Sequence, residues 1–335
     1  MPRAIALFSG GLDSILAVRV LQQQQFDVEA LHVRTPFACC RASAAQAAAA
    51  LGIRLTVCEV GDDYLDMLRR PAHGYGRGMN PCVDCRMYMC RMAARLMRDC
   101  GACLVATGEV LGQRPMSQKR LALAMVERGS GLEGRLLRPL SAQLLPPTLA
   151  ESQGLVDRQR LFAFSGRSRK AQVQLAAQLG IRSLPAVSTG CALSEPGFAP
   201  RVRDLLRSAR PLKRRDFELL KIGRHVRVDA QTKVVLGRNA RENAALRSHF
   251  CGAATAESAL LAPEGFRGPD ALLVGSASEE ALRLAAALIV RHAPRADAAT
   301  AQVRVILAGG TRLLRALPDP RDSRRAETEL SDIGR

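Results

Sequence analysis

The chain has 335 residues, enough for two domains, with 47% hydrophobic and 24% charged residues; no apolar run approaches the ~18 residues of a bilayer crossing, so no membrane role is expected. A formal charge of +18 favours a polyanionic partner, and 44 of the 49 basic residues are arginine. Ten cysteines behind an N-terminus that makes a poor signal peptide read as reduced thiols of a cytoplasmic protein, not as a disulfide framework.

Residues 4–8 read as an apolar first strand and 14–24 as the helix that follows. A strand at 28–33, an alanine-rich helix at 42–51 and a strand at 55–60 continue the alternation. After a loop holding Gly74, Gly76 and Gly78, helical spacing runs over 85–100; strands at 103–107 and 135–140 and a helix at 170–179 come next. This βαβ rhythm predicts an α/β fold, a Rossmann-like parallel sheet, over a first domain of residues 1–205. Isolated cysteines such as Cys58, Cys100 and Cys103 are expected in its core.

Pro185, Pro196 and Pro200 mark the end of that unit, and Pro211 with Lys213-Arg214-Arg215 opens a second domain, 211–318. Short strands at 217–220, 226–228, 234–236, 272–274 and 303–307, with an apolar helix at 279–290, predict a smaller α+β unit. The charged tail, 319–335, reads as disordered. Residues 201–250 hold 14 Lys and Arg against 5 Asp and Glu, whereas 251–335 hold 11 of each. The basic surplus of this half is thus gathered in one segment, as a binding face requires.

The segment Phe8-Ser9-Gly10-Gly11-Leu12-Asp13-Ser14 lies between the first strand and the first helix. Its glycines let the backbone approach phosphate oxygens, the helix start supplies free N–H donors, and Ser9 and Ser14 add hydroxyls. Asp13 suits a phosphate site only if a cation such as Mg2+ lies between the charges. The Gly-Lys-Ser/Thr ending of a Walker loop is missing. The alternative is a ligand-free turn. The hexapeptide resembles that of the PP-loop ATP pyrophosphatases, which cleave ATP between its α- and β-phosphates and adenylate a substrate oxygen. That resemblance implies that Ser9, Gly10, Gly11, Asp13 and Ser14 hold the pyrophosphate, with His32 and Val33 bordering the adenine.

Thr107-Gly108-Glu109-Val110-Leu111-Gly112-Gln113-Arg114-Pro115-Met116-Ser117-Gln118 follows the fourth strand and so lies on the same, carboxyl edge of the sheet. It resembles the corresponding stretch of the tRNA 4-thiouridine synthetases; Gly108, Gln113 and Gln118 are then candidate cofactor-binding residues, the two amides suited to an adenylate or a uracil edge. A plain surface loop is the alternative.

Asn80-Pro81-Cys82-Val83-Asp84-Cys85 places two thiols at i and i+3 at a helix start, and Cys191 follows in Thr189-Gly190-Cys191-Ala192-Leu193. The arrangement is similar to that of sulfur-transferring PP-loop enzymes. It implies Cys82, Cys85 and Cys191 as catalytic residues and as the three metal ligands of a [4Fe–4S] cluster. A persulfide route needs only Cys85 and Cys191. Zinc needs a fourth ligand, for which His73, Cys90, Cys39 or Cys40 are candidates. The vicinal pair Cys39-Cys40 has no matching motif.

In the second domain, Gly223-Arg224-His225-Val226-Arg227-Val228, Val234-Val235-Leu236-Gly237-Arg238-Asn239 and Glu242-Asn243 resemble the RNA-binding domain of the NFACT ribosome-associated proteins. Arg224, Arg227, Lys233, Arg238 and Arg241 are the expected phosphate contacts, which position RNA without reading its sequence. Phe217, Phe250 and Phe266 are the obvious aromatics there, so base stacking has little support.

Together these resemblances imply a tRNA sulfurtransferase-like enzyme. ATP adenylates a uridine carbonyl, and sulfur from a cysteine desulfurase or sulfide replaces the oxygen to give a thiouridine. With the loop at Ser9, the N-terminal RNA-binding domain of the synthetases is not expected, and the C-terminal domain takes its place. Two other classes remain: a PP-loop ligase or amidotransferase acting on a carboxylate, which has no use for the cysteines, and a non-catalytic RNA-binding adaptor, which has no use for Asp13.

Overall fold

The structure, a computed structural model, describes residues 1–37, 42–181, 191–208, 211–251, 258–294, 296–297 and 299–316. Cys39, Cys40, Thr189, Gly190 and the tail 319–335 lie outside the described residues. The chain divides into two compact units, Met1–Ser194 and Glu195–Arg335.

The first unit runs β1 (Arg3–Leu7), α1 (Leu12–Gln23), β2 (Asp27–Arg34), α2 (Ala42–Leu51), β3 (Arg54–Glu59), α3 (Asp62–Arg69), α4 (Cys82–Asp99), β4 (Leu104–Thr107), α5 (Arg120–Ser130), β5 (Leu136–Leu137), α6 (Leu149–Ser152) and α7 (Lys170–Gln178). Its five strands form one parallel sheet in the order β3-β2-β1-β4-β5. β1 and β4 are apolar throughout their centres because helices cover both faces, as parallel sheets require. Ile15, Leu16, Val18 and Leu21 of α1 pack with Ala4, Ala6, Val28 and Leu104 of the sheet. Each such side chain, fully buried, contributes about 1.5–3 kcal/mol. The expected α/β fold is thus present. Cys58, Cys100 and Cys103 are half-buried rather than core residues. Each lies at or beside a strand or helix end, where packing is incomplete.

The second unit holds α8 (Ala199–Leu206), α9 (Arg214–Leu219), β6 (Arg224–Arg227), β7 (Lys233–Leu236), α10 (Ala240–Cys251), β8 (Ser258–Glu264), β9 (Ala271–Val274), α11 (Glu279–Arg291), β10 (Gln302–Leu307) and β11 (Gly310–Arg315). Its six strands are antiparallel, ordered β11-β10-β8-β9-β7-β6. Val234, Leu236, Ala259, Leu261, Ala271 and Leu273 face α11 on one side. Val235, Leu260, Leu272 and Val274 face α9 and α10 on the other. Both faces are covered, so these strands read as apolar runs rather than as polar alternation.

Two expectations are corrected. Residues 217–220 are not a strand: they end α9, whose start is closed by the Lys213 N–H donating to Asp216 Oδ2 at 2.8 Å and whose Arg214 pairs with Glu218 one turn on at 3.1 Å. The unit boundary falls at Ser194–Glu195 rather than at 205–211. α8 belongs with the second sheet because Arg201 Nη1 donates to the Leu220 carbonyl at 3.2 Å and Asp204 pairs with Arg227 of β6 at 2.7 Å. None of the described helices is long and apolar enough to cross a membrane.

Candidate active site

β1 is the central strand, with β2 on one side and β4 on the other. The carboxyl ends of β1 and β4 therefore flank the switch point at which open α/β sheets bind ligands. The two segments emerging there touch. A Cβ on Gly108 would run into the Asp13 carbonyl and the Ser14 amide, so only glycine lets the exit of β4 lie this close to the start of α1.

In the loop after β1, Ser9 Oγ accepts from the Gly11 amide at 3.3 Å and lies 3.4 Å from Ser14 Oγ, which donates to the Gly11 carbonyl at 2.8 Å. Gly11 starts α1 without any side-chain cap, so the first N–H groups of the helix are available to an anion, with Gly10 beside them. Asp13 Oδ2 accepts from Gln113 Nε2 at 3.2 Å, while Oδ1 is buried without a partner. An orphaned carboxylate oxygen beside uncapped helix N–H groups would suit a hard cation such as Mg2+ if phosphate were bound there. Burial pushes the Asp13 carboxyl above the ordinary carboxylate range; the Gln113 hydrogen bond and the Arg169 and Arg114 guanidiniums pull it back. His32 is buried beneath this loop and donates from Nδ1 to the Phe8 carbonyl at 2.8 Å, which leaves Nε2 as the acceptor.

The segment 107–118 is built around Glu109, which is almost fully buried. Its Oε2 accepts from Thr107 Oγ1 at 3.1 Å and pairs with Arg138 at 3.2 Å, while Oε1 pairs with Arg86 at 3.2 Å. Arg138 in turn holds Glu127 at 3.1 Å and donates to the Leu123 carbonyl at 3.0 Å. Because Arg86 directly follows Cys85, this network ties the cysteine helix to the carboxyl edge of the sheet. Beyond it, the Gly112 amide donates to the Gln118 carbonyl at 2.7 Å and closes the loop. Gln118 itself is buried and Gln113 is engaged by Asp13.

α4 starts at Cys82, three residues earlier than its apolar spacing suggests, so Cys82 and Cys85 lie in its first turn and on one side. Asp84 between them accepts from the Ala72 and His73 amides at 3.2 and 3.0 Å and from His73 Nδ1 at 3.0 Å, which anchors the preceding loop. The Met79 amide donates to the Leu193 carbonyl at 2.9 Å, and this bond brings the segment of Cys191 onto the loop before Cys82. Tyr64, buried in α3, places its hydroxyl 3.4 Å from Cys85 Sγ and also bonds Thr35 just past β2.

Burial pushes all three thiols up, Cys191 to about 12. Cys82 and Cys85 each raise Cys191 further, so the three thiols lie within electrostatic reach of one another. Arg114 lowers both Cys82 and Cys191, as it lowers Asp13, and so lies within electrostatic reach of both ends of the site. Among the described residues no three His, Cys, Asp or Glu side chains are arranged to hold a metal ion. Of the fourth ligands considered for zinc, His73 is taken by Asp84, and Cys90 is a core residue whose thiol burial pushes up to about 12.

Sequence reasoning missed Tyr64, Arg86, Arg138 and Arg169. Arg114 and Glu109 lay inside a quoted segment without being singled out. Their signal existed only as position beside a motif; Arg169, one arginine among 44, carried none.

In the second unit, the expected phosphate contacts separate. Arg224 on the edge strand β6 and Arg241 at the start of α10 are exposed. Arg227 is held by both oxygens of Asp204 at 2.9 and 2.7 Å, and Arg238 by Glu242 at 3.0 Å. Lys233 is fully buried, so its ammonium is not at the surface, contrary to the expectation from the sequence. Asn239 and Asn243 are structural: Asn239 Oδ1 accepts from the Glu242 amide at 3.0 Å, and Asn243 Oδ1 from the Asp270 amide at 3.2 Å. Phe217 and Phe250 are core residues.

A parallel sheet with Ser-Gly-Gly-x-Asp-Ser at the carboxyl end of its central strand has the fold and loop placement expected of a PP-loop domain. Residues 2–143 match the family described as thiamine biosynthesis protein (ThiI), and residues 223–316 match the NFACT protein RNA binding domain. The chain thus carries a ThiI-family domain in its N-terminal unit and an NFACT-type RNA-binding domain in its C-terminal unit. Among solved structures, a predicted subunit of tRNA methyltransferase from Methanocaldococcus jannaschii is 15% identical, with a TM-score of 0.34 over 53% of this chain and 76% of that one. A 4-thiouridine synthetase in complex with RNA and bound ATP is 18% identical, with a TM-score of 0.34 over 54% of this chain; the match spans 52% of the synthetase. No curated protein matches the chain.

Proposed function

We propose that this chain is a tRNA sulfurtransferase-like enzyme that adenylates a uridine carbonyl with ATP and replaces its oxygen by sulfur. One observation carries the reading: segment 107–118 meets Asp13 at one end and, through Glu109 and Arg86, holds the thiol-bearing helix at the other. An adenylate formed over the loop after β1 therefore lies on the same sheet edge as a soft nucleophile.

Ser9, Gly10, Gly11 and Ser14 hold the pyrophosphate, and Asp13 holds Mg2+, whose charge offsets that of the phosphates when it is bound. His32 borders the adenine with Nε2 as its acceptor. Gly108 gives the nucleotide loop its room, and Gln113 and Gln118 keep segment 107–118 closed against it. Sulfane sulfur passed from a cysteine desulfurase to Cys82, Cys85 or Cys191 as a persulfide attacks the adenylated carbon and displaces AMP. A second thiol then breaks the S–S bond, releasing thiouridine and leaving a disulfide that a thiol reductant reopens, whereas free sulfide would attack the carbon directly. A persulfide on cysteine suits the described side chains better than a [4Fe–4S] cluster. It needs two neighbouring thiols, whereas a cluster needs all three turned onto one centre. The exposed arginines of the second unit, Arg224 and Arg241 foremost, take tRNA phosphates.

The test is a reaction of the full chain with ATP, tRNA, cysteine, a cysteine desulfurase and a thiol reductant, following thiouridine, AMP and pyrophosphate. Equal amounts of the three are expected. D13A abolishes all of them, and the triple variant C82A/C85A/C191A abolishes thiouridine. Iron content after anaerobic purification tests the cluster, and none is expected. Unchanged AMP formation on a carboxylate with ammonia in the triple variant would overturn the reading in favour of an amide-forming ligase.

A further inference from the structure

Two arginines at the nucleotide edge are used by nothing described so far. Arg114 is exposed, and its guanidinium has no hydrogen-bond or ion-pair partner among the described residues. Its place is set by the loop that carries it. Gln113 on one side is bonded to Asp13 Oδ2 at 3.2 Å. On the other side Met116 lies over Gly76, where a Cβ would sit 3.1 Å from Met116 Cγ and 3.4 Å from the Asn80 carbonyl, two residues before Cys82. The loop therefore bridges the phosphate cradle and the start of the cysteine helix, with Arg114 between these anchors.

Arg169 arrives from elsewhere, at the start of α7. The Gly166 amide donates to the Leu111 carbonyl at 2.8 Å and Leu111 pairs with Ser165, so segment 165–169 is laid against segment 107–118. This part of the chain lies beyond the 2–143 family match. Both guanidiniums lie within electrostatic reach of Asp13, and Arg114 also within reach of Cys82 and Cys191.

A buried carboxylate makes the edge poorly suited to a nucleotide unless positive charge is supplied beside it. A guanidinium is suited to that role because its planar fork matches phosphate oxygens. We infer that Arg114 is the residue that binds the nucleotide's α-phosphate, between the ATP cradle and the start of the cysteine helix, and that Arg169 binds the β- and γ-phosphates from the segment laid against 107–118. The assignment rests on the ATP reading of the site and not on thiolation itself.

AMP and an ATP analogue with a methylene group between the α- and β-phosphates separate the two roles. Each is measured with Mg2+ by equilibrium dialysis against the full chain. R114A is expected to weaken both ligands by roughly tenfold or more, as loss of a hydrogen bond to a charged group does. R114K is expected to restore part of that affinity. R169A is expected to weaken the ATP analogue to a similar degree and leave AMP within about twofold, well inside the ~1.4 kcal/mol of a tenfold change. Because Arg114 is exposed, its variants are expected to melt with the wild type, which separates lost binding from lost folding. AMP bound equally by wild type and R114A overturns the inference. If tRNA affinity without nucleotide falls instead, the guanidinium serves an RNA phosphate and the inference is likewise overturned. A wild type that binds AMP through Arg114 yet makes no thiouridine refutes sulfur transfer and leaves this assignment standing.

Discussion

Asp13 concentrates the conflict within the site. Its carboxyl is buried, one oxygen has no partner, and its pKa is raised by that burial in spite of Gln113, Arg169 and Arg114. The folded chain thus holds this proton more tightly than the unfolded chain does. The sign follows: stability falls as pH rises from the unfolded carboxylate value through the raised folded one, and it stays lower above. D13N removes the charge while keeping an oxygen for Gln113. It is expected to raise the melting temperature at pH 7 by about 2–4 °C and to abolish AMP formation, a trade of activity for stability. Thermal melts beside a pyrophosphate assay check it; a variant that melts below the wild type shows that burial is not the source of the strain.

Among the elements, α4 and β4 matter most, and their link is polar. Arg138 and Glu109 are both buried, and Arg138 is bonded at once to Glu109, Glu127 and the Leu123 carbonyl. Removing one partner leaves a buried charge uncompensated. R138A is therefore expected to destabilise the first unit by roughly 3–5 kcal/mol. R214A removes the half-exposed Arg214–Glu218 pair and is expected to cost under about 0.5 kcal/mol. Urea unfolding of the two variants side by side measures the contrast. Similar midpoints would mean that the Glu109 network does not carry the structural weight given to it.

For the whole molecule, the ThiI-family match and the NFACT-type match fall to separate units, each with its own core. Arg224 and Arg241 are exposed, whereas Lys233 is buried, so they are expected to respond differently to salt. In plots of log affinity for tRNA against log salt, R224A and R241A are each expected to reduce the slope by about 1. K233M is expected to leave the slope unchanged and to lower the melting temperature. A changed slope for K233M would place its ammonium on the phosphates after all.

Local pattern alone determined the β1–loop–α1 unit, the βαβ order of the first sheet and the apolar strands of the second. These follow from periodicity and glycine placement over a few neighbouring residues. Cys82 and Cys85 were legible for the same reason, because i and i+3 on one helix turn need no further information. What brings the segment of Cys191 toward them is a backbone bond from Met79 to Leu193, and what ties their helix to the segment whose Gln113 bonds Asp13 is a buried Glu109 paired with Arg86 and Arg138. Lys233 and α9 misled for a related reason: a lysine flanked by apolar residues and a short apolar run each take their place from the core that forms around them. Contacts between residues far apart in the chain leave no periodic trace, and only the folded sheet, with both faces covered, decides them.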